Sequence, residues 1–326
     1  MGRMRYRRIV LWAALAIAIA VVSVEGGLRA RLALRDPHQW DDDGLFRYRP
    51  NTQVGLTPYL TTNNHGFFGP DLDTPPDPAA CRIILLGSSS IASPDLPVLV
   101  TDILKKHFPE RIVEVNTAGL PRYTSHHNRL LFERYIVSLE PDVVAIYLGL
   151  NNNVYNTNPD DTEEPPLGLW NWRDARRSVA VDMLAYHGYH KRFAVTPDFE
   201  RYPGAERFAA DVAAIVKHAR EHGIAVVLLR EALAWPTDDP ILTQTIRQAE
   251  APMRHFWGSL DAALRGAEAT NTALDSLAAE YGLSVVEVAP YIPRDSLHFR
   301  DLCHFTPVGM ERFSQVVADA MAAYCR

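Results

Sequence analysis

Twelve histidines are spread along the 326 residues, and His304 follows a carboxylate at a spacing that chemistry can use. In Asp301-Leu-Cys-His304 the aspartate stands three residues before the imidazole. A carboxylate so placed accepts one ring N–H and fixes the tautomer, which leaves the other nitrogen free to take a proton from a hydroxyl. Gly87-Ser88-Ser89-Ser90 offers hydroxyls. A serine at a strand-to-helix turn exposes Oγ at the positive end of the helix, although small polar residues there more often just form the turn. Two further segments offer N–H donors. In Asn116-Thr-Ala-Gly119 the glycine lets a backbone N–H approach a ligand, and in Gly149-Leu-Asn151-Asn152 the Asn151 amide donates. Each segment alone reads as ordinary turn chemistry. Together they supply the nucleophile, base, orienting carboxylate and oxyanion donors that acyl transfer requires.

Positioning these residues takes a regular scaffold, and the hydrophobic pattern supplies one. Short apolar runs at 82–86, 112–115, 143–147, 224–229 and 284–288 read as buried strands. Helical patterns at 95–107, 125–139, 204–222, 241–281 (with breaks) and 307–323 alternate with them. Strands that are continuously apolar and alternate with helices predict a parallel sheet covered on both faces. Ligands then bind beyond the carboxyl ends of the strands, where the candidate residues fall. No internal repeat is visible. Residues 152–200, rich in Asn, Asp, Pro and Trp, break the rhythm as an insertion; Trp170 and Trp172 there suit either stacking on sugar rings or packing under a lid. Residues 29–80 read as an irregular connector whose aromatics, Phe46, Tyr48, Tyr59, Phe67 and Phe68, predict packing on the main domain.

Apolar residues make up 47% of the chain and charged residues 22%, a folded globular balance. A net charge of −6 argues against a general nucleic-acid binder, which needs a basic face, and leaves room for a local basic patch. The three cysteines, Cys81, Cys303 and Cys325, show no metal-ligand spacing, so no metal is expected; an oxidising compartment would allow one disulfide and leave one cysteine over. At the N-terminus, Arg3, Arg5, Arg7 and Arg8 precede an apolar run from Ile9 to Val24. The run is near the lower limit of roughly 17 residues for a spanning helix. Residues 1–28 therefore read as a cytoplasmic stub and signal anchor, with a cleaved signal peptide as the alternative and a buried core helix as the third reading. The arginines keep the N-terminus inside and send the rest across the membrane.

In order along residues 82–326, these segments resemble the SGNH/GDSL hydrolase family. Leu85-Leu-Gly-Ser-Ser-Ser90 corresponds to the nucleophile segment, with Ser89 in the nucleophile position; Asn116-Thr-Ala-Gly119 supplies the glycine, Tyr147-Leu-Gly-Leu-Asn151 the asparagine, and Asp301-Leu-Cys-His304 the DxxH. Ser88 replaces the usual aspartate and Ser93 a common glycine, which leaves Ser88 and Ser90 as rival nucleophiles. Thr61 to Pro70 resembles the N-terminal part of membrane-anchored bacterial members. The resemblance implies a three-layer α/β/α sandwich of flavodoxin type over residues 81–326, with five parallel strands in order 2-1-3-4-5. It implies a Ser89–His304–Asp301 triad, an oxyanion hole from the N–H groups of Ser89 and Gly119 and the Asn151 amide, and no cofactor. The expected activity is hydrolysis of an acyl ester of a carbohydrate, lipid or small alcohol. The alternatives are an O-acyltransferase on an exported polysaccharide and an inactive, anchored binding protein. The same fold brings Cys81 and Cys325 to the edge opposite the site, where a bridge forms if the Cα atoms lie within about 7 Å; separate thiols are the other reading.

Overall fold

Alternation along the strands decides which side chains face which layer. In a strand, successive side chains point to opposite faces of the sheet. In Ala80–Gly87, buried throughout, Cys81, Ile83 and Leu85 join one apolar cluster, and Ile84 and Leu86 point the other way. The computed structural model describes residues 12, 19–31, 38–40, 45–54, 60–157 and 201–325.

The strands are β1 (His38–Trp40), β2 (Phe46–Tyr48), β3 (Ala80–Gly87), β4 (Ile112–Thr117), β5 (Val143–Tyr147), β6 (Ala225–Arg230) and β7 (Val285–Glu287). The last five form one parallel sheet in the order β4-β3-β5-β6-β7, which is 2-1-3-4-5 counted within the sheet. Ile83 is level with Val115 on one side and Val143 on the other. The helices are α1 (Asp95–His107), α2 (Ser125–Leu131), α3 (Val154–Thr157), α4 (Pro203–Glu221), α5 (Pro240–Trp257), α6 (Leu260–Tyr281) and α7 (Pro307–Met321). α1 packs on α7, where Leu96, Val100 and Leu104 share the Ile83 cluster with Phe313, Val317 and Met321. α4 packs on α6 and touches β6. The result is a sheet between two helical layers.

Several elements differ from the sequence reading in detail. The helix expected over 125–139 begins as α2, passes through a π turn (Phe132–Ile136) and a 3-10 turn (Val137–Leu139), and stops at Glu140, whose φ is 48°. The 241–281 stretch is two helices broken at Gly258, where φ is 83°, with the Ser259 side chain accepting the Ala262 N–H at the start of α6. Cys81 lies inside β3 rather than before it. The connector is less irregular than its composition suggests, since β1 and β2 pair antiparallel. Strands of three residues are too short to show a period.

The connector is fastened to the sheet by hydrogen bonds. Phe68 and Thr117 exchange backbone N–H···O bonds in an antiparallel bridge that covers the edge strand β4. The Asn63 amide donates to Asn116 Oδ1 at 2.7 Å and to the Pro70 carbonyl at 2.8 Å. Arg82, fully buried, donates to Glu114 at 2.7 Å, to the Leu139 carbonyl and, at 2.9 Å, to the Asp73 carbonyl of the connector. Phe46, Tyr48, Phe67 and Phe68 are buried, whereas Tyr59 lies outside the described residues.

The chain divides into two compact units, residues 37–162 with 195–326, and residues 1–36 with 163–194. Of the second unit, residues 19–31 are helical, with Arg29 paired to Glu25 at 2.7 Å. Most of the first half of the apolar run Ile9–Val24 lies outside the described residues, among which no helix is long and apolar enough to cross a membrane. Of the expected insertion, residues 158–200, including Trp170 and Trp172, also lie outside them. Cys81 and Cys325 are joined in a disulfide with Cα atoms 5.3 Å apart, and Cys303 is a free, buried thiol.

Candidate active site

At the carboxyl end of β3 the chain turns sharply through a 3-10 turn, Ser89–Ile91. Ser88 and Ser90 are buried, at 4% and 3% exposure, while Ser89 keeps open surface. Ser89 Oγ lies 2.8 Å from His304 Nε2. The opposite ring nitrogen, Nδ1, lies 2.8 and 2.9 Å from the two oxygens of Asp301. A carboxylate accepts only, so Nδ1 carries the proton and Nε2 is left to accept the serine hydroxyl. Asp301 Oδ1 also accepts the backbone N–H groups of Cys303 (3.0 Å) and His304 (2.9 Å). Burial works to raise the Asp301 pKa, but the His304 ring and these N–H donors outweigh it and hold the carboxyl below its ordinary value. The side chains of His304 and Asp301 keep 30% and 34% of their surface, so the site is open to a substrate.

Gly119 is pressed against the turn that carries Ser89. A Cβ on it would come within 2.7 Å of the Ser88 carbonyl oxygen and 2.6 Å of Ile91 Cγ1, so only glycine fits without a shift. Its N–H makes a long bond of 3.3 Å to Thr117 Oγ1 and is lightly held. Asn151 follows β5 in a 3-10 turn, Leu150–Asn153. The Trp257 indole N–H donates to Asn151 Oδ1 at 3.2 Å, which orients the amide, and Asn151 Nδ2 donates one proton to the Tyr123 carbonyl at 3.1 Å. The amide carries a second proton, which has no acceptor among the described residues.

The structure therefore joins Ser89, His304 and Asp301 in one hydrogen-bonded chain and sets Gly119 against it. Asn151 is reached through Glu231, the residue after β6, whose Oε2 accepts the Leu150 N–H at 2.7 Å and whose Oε1 lies 3.4 Å from Ser90 Oγ. Neither Glu231, after the fourth strand, nor Trp257 is among the residues that the sequence analysis singles out. A charged residue directly after a buried strand was the available signal for Glu231. A second Asp-x-x-His, Asp295 to His298, forms the same pair at 2.6 Å, but its histidine is buried and no contact joins it to Ser89 among the described residues.

Asp301, Cys303 and His304 also present ligand-type atoms within 4.8 Å of one another. As placed, Nδ1 donates to Asp301, and burial pushes the Cys303 thiol well above its ordinary pKa, so the group is protonated as a hydrogen-bonded pair beside a thiol. This arrangement can move a proton from serine to imidazole and hold the imidazolium beside a carboxylate, the chemistry of acyl transfer through a serine ester.

The comparisons with known proteins bear on the same stretch. Among solved structures, a lipase/acylhydrolase from Enterococcus faecalis is similar at 15% identity and a TM-score of 0.45, over 74% of this chain and 95% of that one. A GDSL-like lipase from Bacteroides thetaiotaomicron is similar at 15% identity and a TM-score of 0.44, over 74% and 87%. An acetylxylan esterase from Geobacillus stearothermophilus is similar at 11% identity and a TM-score of 0.46, over 76% and 95%. No curated protein matches the sequence. The model of the GDSL-like lipase/acylhydrolase family matches residues 86–312, more than half of the chain, and the protein belongs to that family of serine ester hydrolases.

Proposed function

We propose that the protein hydrolyses acyl esters with Ser89 as nucleophile, His304 as general base and acid, and Asp301 as the carboxylate that orients the imidazole. The observation that carries this reading is the 2.8 Å contact between Ser89 Oγ and His304 Nε2, with Asp301 on the opposite nitrogen. His304 removes the hydroxyl proton as Oγ attacks the ester carbonyl. The N–H groups of Ser89 and Gly119 and the Asn151 amide receive the oxyanion. The intermediate collapses as His304 returns the proton to the leaving alcohol, giving a Ser89 acyl ester. Water, deprotonated by His304, then releases the acid.

One substrate class that this chemistry serves is an acyl ester of a carbohydrate. The same chemistry serves an acyl ester of a lipid or a small alcohol, and the part-exposed His304 and Asp301 side chains leave the site accessible to any of the three. The test uses an organophosphate probe and p-nitrophenyl esters on the purified protein. The probe should label Ser89, and only while His304 is intact; Ser89→Ala should abolish turnover. Label on Ser88 or Ser90 would overturn the nucleophile assignment. An acetylated xylan should release acetate, and acyl groups appearing on an added polysaccharide instead would make the protein a transferase.

We also propose that the catalytic domain works outside the cytoplasm, anchored through Ile9–Val24. The arginines before that run and the Cys81–Cys325 disulfide support this, since disulfides persist in oxidising compartments. A C-terminal reporter active only in the cytoplasm should stay silent; a bright signal would sink the proposal.

A further inference from the structure

Four strands of the sheet are followed by residues with a role in the reading above, and β6 is followed by one without. Glu231 comes directly after Arg230, the last residue of β6. Its Oε2 accepts the N–H of Leu150, the residue before Asn151, at 2.7 Å. Its Oε1 lies 3.4 Å from the hydroxyl of Ser90, the residue after Ser89. One carboxylate thus spans from the turn that carries the nucleophile to the turn that carries the amide donor. We propose that Glu231 is a positioning residue, which holds the Leu150–Asn153 turn so that the Asn151 amide meets the oxyanion. The inference rests on the roles given above to Ser89 and Asn151.

The two arms differ in strength. An N–H to carboxylate bond of 2.7 Å is short and charge-assisted. An O–H···O contact of 3.4 Å is long and weak. The Leu150 arm therefore carries the effect, and Ser90 contributes little. The packing leaves the turn little room elsewhere. A Cβ on Gly149 would lie 3.4 Å from Glu231 Oε2 and 3.2 Å from Thr270 Cγ2, so the chain runs directly over the carboxylate. Asn151 is then held at three points, by Glu231 through its neighbour, by Trp257 on its oxygen and by the Tyr123 carbonyl on its nitrogen. A carboxylate in such a place is costly. Burial drives its pKa up, opposed by the Leu150 N–H, the Ser90 hydroxyl and the charge of His304.

The test is a double-variant cycle on the full chain, with p-nitrophenyl acetate as substrate and Tm measured for each protein. Glu231→Ala should lower kcat by roughly 10- to 100-fold with KM changed less than about threefold, because the lost interaction belongs to the transition state. Glu231→Gln keeps an oxygen for the Leu150 N–H and should stay within about fivefold of wild type. In an Asn151→Ala background, Glu231→Ala should cost less than about threefold more, since the group it positions is gone. Multiplicative losses in the double variant would overturn the proposal, as would full activity in Glu231→Ala or a Gln variant no better than Ala. Should Glu231→Ala fail to fold, Glu231→Asp, too short to reach Leu150, replaces it in the same cycle. Organophosphate labelling of Ser89 in the wild type separates the two failures. A protein labelled at Ser89 with multiplicative losses sinks Glu231 alone, while label elsewhere sinks the catalytic reading beneath it.

Discussion

The donor role proposed for Asn151 belongs to a side chain, so it can be removed without changing the backbone. Asn151→Ala should lower kcat by roughly 10²–10³-fold, about 3–4 kcal/mol of transition-state stabilisation, with little change in Tm. Trp257→Phe takes away the indole N–H that pins the amide oxygen and should cost less, on the order of threefold to tenfold, since the amide survives but flips more freely. Near-full turnover in Asn151→Ala would remove it from the oxyanion hole. At this scale residue type was informative only where several types converged. Asp301 and His304 were legible because their spacing of three is itself the geometry of the contact. The choice among three adjacent serines was not a matter of type, because it depends on which hydroxyl the turn after β3 leaves exposed. Trp257 was not legible, because it reaches Asn151 across 106 residues and lies at the end of an otherwise ordinary amphipathic helix.

Between β6 and α5, Asp239 ties two active-edge loops together. Its Oδ2 accepts the Ser296 N–H at 2.8 Å and the Ser296 hydroxyl at 2.7 Å, while Oδ1 accepts the N–H groups of Ile241 (2.8 Å) and Leu242 (3.1 Å) at the start of α5. The Ser296 bonds, followed by that of Leu242, hold its carboxyl down at about 2, against an ordinary 3.8. A depressed folded pKa means that the stabilisation is fully present above the ordinary value and disappears as pH falls through the folded one. Asp239→Asn should therefore lower Tm at pH 7, and the gap to wild type should close as the pH is taken from 4 towards 2. A gap that persists unchanged at the acid end would show that the carboxylate's charge is not what holds the loops. The sheet was the most legible element of the fold, because strands buried on both faces read as unbroken apolar runs. The π turn after α2 and the β1–β2 pair were not, since one is a change of hydrogen-bond register within a helical pattern and the other is only three residues a side.

At the scale of the whole molecule, the disulfide connects the first strand of the sheet to the end of the last helix, across 244 residues of sequence. A native bridge of this kind is typically worth about 2–4 kcal/mol, chiefly by limiting the unfolded chain. Reduction, or the double variant Cys81→Ala/Cys325→Ala, should therefore lower Tm by several degrees while leaving kcat on a small ester within about twofold, since Cys81 lies at the sheet edge away from Ser89. An unchanged Tm would mean that the bridge does not form in solution. The pairing was open to a topological argument, because a helix that begins at the active edge must end at the far one. The N-terminal run stays an expectation from its arginines and its apolar length. The bridge has a further consequence for how the protein responds to damage. Residues 81–325 form a covalent ring, so a protease that cuts the backbone once anywhere inside it produces no free fragment. Where the cut falls between Ser89 and His304, the two would remain tethered until a reductant arrives, and the nicked enzyme would travel as one band on a gel and as two after thiol treatment.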